Sequence, residues 1–265
     1  MKSIRQIGNC IGLQNKISII KNFFGYSERW KANLRVDNNF FWTINSLSVL
    51  DQMKHYMIDH NVHLHIRTGV APNISIDRMI YAMRSVYNKY GLGVVIRSNK
   101  TFDLSNDFRP LDVAVTVPIP IPVAGVAIFI VEDLCANSLG TSDDQDDLFS
   151  QHKSGVDPSH ILVFFIDTTD PPSNGCSSHP SDTPGAVIAK GATLWTLAHE
   201  VGHVLGLSHT EGILGDVLTE IDINALCEFD HLMTTCGTGK LSTNSPILDS
   251  SEVQKMKDSN LTIRC

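Results

Sequence analysis

A chain of 265 residues with 42% apolar side chains and mixed charge has the composition of an ordinary globular protein, long enough for one large domain or a domain plus an extension. A formal net charge of −7 excludes a general binder of nucleic acid or of anionic membrane, because both partners are themselves negative. No apolar run reaches the length of a membrane span, and the basic start from Met1 to Cys10 is too interrupted by polar residues for the apolar core of a conventional signal peptide.

Residues 1–55 differ from the rest of the chain. Ile17, Ile20, Phe23 and Phe24 have helical spacing, while the stretch from Asn33 to Asn45 is polar and irregular around Phe40, Phe41 and Trp42. This segment reads as an N-terminal extension: a pro-segment, a delivery signal or a brace on the back of the domain formed by residues 56–265. From Val62 the pattern changes to alternation. Val62, Leu64 and Ile66 interleave with His63, His65 and Arg67, as in a half-buried strand. His63 and His65 share a face, yet nothing downstream in the sequence joins them as ligands, so both read as packed or solvent-side histidines. Ser75 then caps a helix whose stripe is Ile76, Met79, Ile80, Met83, Val86, Tyr87 and Tyr90, and Gly91 stops it. Gly93 to Ser98 is the next strand, which completes a strand-helix-strand unit of the kind that needs a parallel sheet.

Pro118, Pro120 and Pro122 confine the first part of Val113–Val131 to an edge or a loop, and Ala124–Val131 is the better strand. Thr141-Ser142 followed by Asp143, Asp144, Asp146 and Asp147 fits the acidic first turn of a capped helix reaching about His152. A calcium loop is the alternative, but the EF-hand glycine and terminal glutamate are missing. Ile161–Ile166 is apolar on both faces and therefore central. Asp170 to Pro184 is a loop, with Cys176 and a loop histidine, His179, inside it, and Gly185 to Ala189 is a short strand before a helix that begins near Thr193.

That helix carries His199-Glu200-Val201-Gly202-His203-Val204-Leu205-Gly206-Leu207-Ser208-His209. Positions four apart share a helix face, so His199 and His203 can aim two imidazoles at one metal ion. Glu200 sits beside that ion, placed to work on a water rather than to ligate. Gly206 can take a left-handed conformation, end the helix and return the chain so that His209 arrives as third ligand. Three protein ligands leave a fourth tetrahedral position for water, which marks a catalytic Zn2+ site rather than a closed structural one. Toward the C-terminus, Ser250–Lys257 has the cap and spacing of a closing helix with Val253 and Met256 inward.

The stretch resembles the metzincin clan of zinc peptidases, whose motif is H-E-x-x-H-x-x-G-x-x-H followed by a methionine turn. Cys227 to Thr235 supplies a candidate turn, and the resemblance implies that Met233 forms an apolar floor beneath the three histidines. Thr210 follows the third histidine, where the astacins, serralysins, matrixins and adamalysins carry Glu, Pro, Ser or Asp, and Thr235 stands where astacins and serralysins carry a switch tyrosine. The subfamily is therefore unassigned. Trp195-Thr196-Leu197-Ala198 and Leu232-Met233-Thr234 look like those of the compact bacterial members.

The resemblance implies an α+β zincin fold. Its α/β-like upper subdomain, residues 56–206, has a twisted, mostly parallel sheet with an antiparallel edge strand and the active-site helix. A smaller lower subdomain spans residues 207–265. It also implies a substrate rim between about Asn174 and Ala189 and a pocket wall within Thr234–Asn244. The implied activity is a zinc-dependent endopeptidase, with a protein or peptide substrate, zinc-bound water as nucleophile and Glu200 as general base. The chain would act as a monomer, secreted or delivered outside the cell by a route without a recognisable signal peptide, as a virulence factor could be. The alternative is a toxin or binding module that keeps the scaffold for attachment. Of the six cysteines (Cys10, Cys135, Cys176, Cys227, Cys236 and Cys265), none forms a CxxC pair. Cys265 leans toward a bridge and an oxidising destination. Cys135 and Cys176 are expected to pair near the rim, and Cys10 reads as a plain thiol rather than one that blocks zinc.

Overall fold

The computed structural model describes residues 58–104, 110–119, 128–132, 140–209, 230–234, 238, 241 and 245–265. The expected extension over residues 1–55 and Cys10, Cys135, Cys227 and Cys236 lie outside them. The alternating stretch forms β1 (His60–Thr68), followed by α1 (Ile76–Tyr87), a single 3-10 turn (Asn88–Tyr90) and β2 (Leu92–Thr101). Gly91, at φ +82°, takes the left-handed conformation that turns the chain back into β2. β2 then pairs with β1 in parallel along its whole length, with a bulge between Leu64 and His65.

The other edge of β1 is shared. Residues 64–68 pair in parallel with β6 (Ile161–Ile166), while residues 60–62 pair antiparallel with β10 (Thr262–Arg264), a C-terminal strand that alternation in the sequence does not reveal. β9 (Gly185–Ala189) extends the sheet in parallel beyond β6, and β8 (Gly175–Cys176) closes that side as an antiparallel edge strand. The result is a mixed sheet of six strands, mostly parallel, with helices on it, α/β-like in its connections. Two small pairs lie apart: β3 (Leu111–Asp112) with β7 (Thr169–Asp170), and β4 (Val115–Ile119) with β5 (Ile128–Glu132). Pro118 is within β4, which is tolerated because both strands of a two-stranded ribbon are edges.

All six residues of β6 are buried because apolar layers cover both faces. On one face Ile161, Val163 and Phe165 join Val62, Leu64 and Ile66 of β1 against α1 and against α3 (Thr196–Val204). On the other, Leu162, Phe164 and Ile166 pack with Leu148 and Phe149 of α2 (Asp143–His152). Each such side chain contributes about 1.5–3 kcal/mol on burial, so a strand with six of them anchors the fold. α2 starts with the expected Ser142 cap, completed by Gln145 as a capping box that accounts for the aspartate cluster as a helix first turn. α4 (Ser250–Asp258) is capped by Asp249 rather than Ser250, with Glu252 completing the box, and it buries Met256 as expected.

The expected Cys135–Cys176 bridge is not formed. Cys176 is a free thiol buried in the second layer, 3.4 Å from Gln145 Nε2, where it serves as a small apolar side chain. Cys265 is disulfide-bonded, to a partner outside the described residues.

Candidate metal centre

α3 lies against the first face of the sheet and presents His199 and His203 from successive turns. Its C-terminus is a Schellman turn: Gly206, at φ +96°, donates its N–H to the His203 carbonyl (2.8 Å), and Leu207 donates to the Gly202 carbonyl (3.0 Å). A residue with a Cβ is strained at that φ, which is why the sequence needs glycine there. The turn also sends the Leu207 carbonyl back to the His203 ring, where it lies 2.9 Å from Nδ1. On His199 the matching contact runs from Nδ1 to the Leu232 carbonyl at 2.7 Å. A carbonyl only accepts, so both Nδ1 atoms carry the proton and both Nε2 atoms present lone pairs.

Those lone pairs converge with the third histidine. The Nε2 atoms of His199 and His203 are 3.1 Å apart, those of His203 and His209 3.1 Å, and those of His209 and His199 3.4 Å. Two lone-pair nitrogens facing each other repel, whereas a tetrahedral zinc with Zn–N near 2.0–2.1 Å holds its ligands about 3.3 Å apart. The donor set therefore fits a divalent zinc ion, and these three residues form one of the two groups able to hold a metal among the described residues. Burial, with His199 and His209 alongside, holds the His203 ring down to about 3, so it is neutral and ready to ligate.

Glu200 points into the layer between α3 and the edge strand. It is 7% exposed, and burial pushes its carboxyl up to about 8. A divalent cation at the histidines would draw that value back down, because opposite charge favours the carboxylate. The wall it rests on is Gly175 of β8, a residue whose role the sequence alone does not reveal: a Cβ there would meet Glu200 Cγ at 2.7 Å and Oε1 at 2.8 Å. Gly175→Ala is accordingly expected to displace the carboxylate, with metal content unchanged in elemental analysis.

Met233 is fully buried beneath the helix, and Gly202 makes room for it, since a Cβ at that position would lie 2.8 Å from the methionine sulfur. The turn that carries Met233 is tied to the C-terminal helix. His231 Nδ1 accepts from the Met233 N–H (3.3 Å), and its Nε2 lies 3.0 Å from Glu252 Oε2. These contacts place His231 between the turn and α4, and with Asp249 and Glu252 it forms the second group able to hold a metal among the described residues. Leu232, the next residue, donates to the Ile247 carbonyl (3.0 Å) and is thereby fixed where its own carbonyl meets His199.

Of the expected rim, Gly185–Ala189 runs parallel inside the sheet, and the antiparallel edge is Gly175–Cys176. His179, the loop histidine, does not stand out in solvent. It is half-buried, its Nδ1 donates to the Pro180 carbonyl (2.8 Å), and burial lowers its pKa. Within the expected pocket wall, Thr238 is buried, and its hydroxyl bonds those of Thr193 and Thr196 at the start of α3 (2.7 and 2.8 Å). Thr210 and Thr235 lie outside the described residues.

No protein-family model matches the chain, and neither does any curated protein. Among solved structures the chain is similar to metalloproteinase-II from Bacteroides fragilis, at 12% identity and a TM-score of 0.46, over 77% of this chain and 54% of that one. It is also similar to archaemetzincin from Methanopyrus kandleri, at 12% identity and a TM-score of 0.40, over 76% of this chain and 96% of that one. The chain thus spans about half the length of the Bacteroides protein. What the site does is therefore read from its own side chains.

Proposed function

We propose that this chain is a zinc-dependent peptidase in which His199, His203 and His209 hold the metal and Glu200 moves the proton. The observation that supports this most is the convergence of three imidazole lone pairs, two of them fixed by backbone carbonyls, beside a buried carboxylate that is not itself aimed as a fourth ligand. When bound, zinc supplies positive charge that brings the pKa of a water toward neutrality and polarises a substrate carbonyl. Glu200 accepts a proton from the attacking water on its carboxylate and returns it to the leaving amine. Gly175 keeps the space for that carboxylate, and Met233 forms the apolar floor under the histidines. β8 is an antiparallel edge strand, the kind of edge that an extended peptide can join, which suits a protein or peptide substrate. The disulfide at Cys265 fits an oxidising, extracellular destination.

Elemental analysis of the purified chain after dialysis tests the metal. One zinc per chain is the expected result. Less than half an equivalent, without recovery when zinc is added back, would overturn the site.

A further inference from the structure

A second histidine cluster lies on the opposite face of the sheet and takes no part in the proposed chemistry. Alternation along β1 turns His63, His65 and Arg67 away from α3, and β2 adds Arg97 at its bulge, Ser98 and Lys100. The turn before β6 adds His160, which the sequence does not connect with the other two histidines and which joins them in the fold. His160 Nε2 lies 2.9 Å from His63 Nδ1, and its Nδ1 lies 3.0 Å from His65 Nε2. His65 Nδ1 meets the Ser98 hydroxyl at 2.8 Å, and that hydroxyl also accepts from Arg67 Nη1 at 2.9 Å. His63, His65 and Arg67 are buried, at 5%, 8% and 5% exposure.

Two observations exclude a metal here. His160 turns a different nitrogen to each neighbour, so the three rings do not share one point. The Arg97 guanidinium also stands 3.2 and 3.3 Å from the two nitrogens of His63, where a cation would be repelled. What the cluster lacks is negative charge. Arg67, Arg97 and Lys100 form no ion pair among the described residues, and the nearby acid, Asp157, is exposed and bonded to Ser159. An arginine buried to this degree is almost always paired, because an uncompensated guanidinium in a low-dielectric site is costly. Burial and the field of the neighbouring cations keep the rings neutral, with His63 held down to about 4.

We propose that this face binds a small oxyanion, of the phosphate or sulfate class, seated between Arg67 and Arg97 with Lys100 and the imidazoles around it. The anion supplies the charge that Arg67 lacks and accepts hydrogen bonds in the fork geometry of guanidinium groups. The inference does not depend on zinc or peptidase activity.

Calorimetric titration of the full chain with inorganic phosphate, and separately with sulfate, at pH 7 and fixed ionic strength tests it. One saturable site is expected for at least one of the two anions. Arg97→Gln, at an exposed position that leaves the core intact, should weaken binding about tenfold, and Arg67→Gln should abolish it. The zinc-ligand variant His209→Ala should still bind, which separates this site from anion binding at the metal. Heats no larger than those of added chloride, or equal affinity in the wild type and Arg97→Gln, would overturn the proposal even if Arg67→Gln failed to fold.

Discussion

Glu200→Ala is expected to slow hydrolysis of an unfolded protein substrate by about 10²–10⁴-fold, the range a positioned general base contributes. Zinc content should remain at one per chain, and the melting temperature should barely change. The separation follows from where each group acts. In the proposed mechanism Glu200 passes the water's proton to the leaving group and does not ligate the metal, so its loss raises the barrier without touching ground-state metal binding. The buried carboxyl, pushed up to about 8, is itself an expense to the fold, and removing it offsets part of the packing lost with its methylenes. Parallel measurement of kcat/KM, zinc content and thermal unfolding checks all three. An unchanged cleavage rate would remove Glu200 from the mechanism.

His209→Ala should do the reverse, losing zinc first and activity as a consequence. His209 closes the triangle with Nε2 contacts of 3.1 and 3.4 Å, and without it two ligands remain. A ligand that binds the native state at a thousand times its Kd stabilises by about 4 kcal/mol, and forfeiting that amount in a chain of this size lowers Tm by about 10 °C. Elemental analysis and unfolding scans with and without added zinc measure both effects. Retention of a full equivalent of zinc by this variant would show that His209 is not a ligand.

What the sequence discloses about this site is what neighbours along the chain determine. The offsets from His199 to His209 lie within one helix and one turn, so helical geometry places two ligands, and Gly206 announces the reversal that brings the third. Strand alternation in β1, the double-sided apolar run of β6 and the capping box of α2 are local in the same sense, whereas Ser75 stands at the N-cap of α1 without a side-chain hydrogen bond there. The features that escaped are contacts between distant segments. The Leu232 carbonyl that orients His199 is 33 positions away from it. Gly175 reads as a loop glycine until β8 is laid against Glu200, and Gly202 as an ordinary small residue until Met233 is brought beneath it. His160 lies 97 positions from His63 and becomes its partner only because β6 is inserted next to β1. The expected bridge at Cys176 failed for a related reason. Proximity to a loop in the sequence says nothing about whether a thiol faces outward, and this one faces the apolar layer under α2.

Hydrolysis of peptide bonds at a bound metal is measured most directly by the rate at which chain of known zinc content cleaves an unfolded, dye-labelled protein. Cleavage should proceed with one zinc per chain, stop when a chelator removes the metal, and return when one equivalent of zinc is restored. A chain that carries its full zinc and leaves the substrate intact would contradict a peptidase.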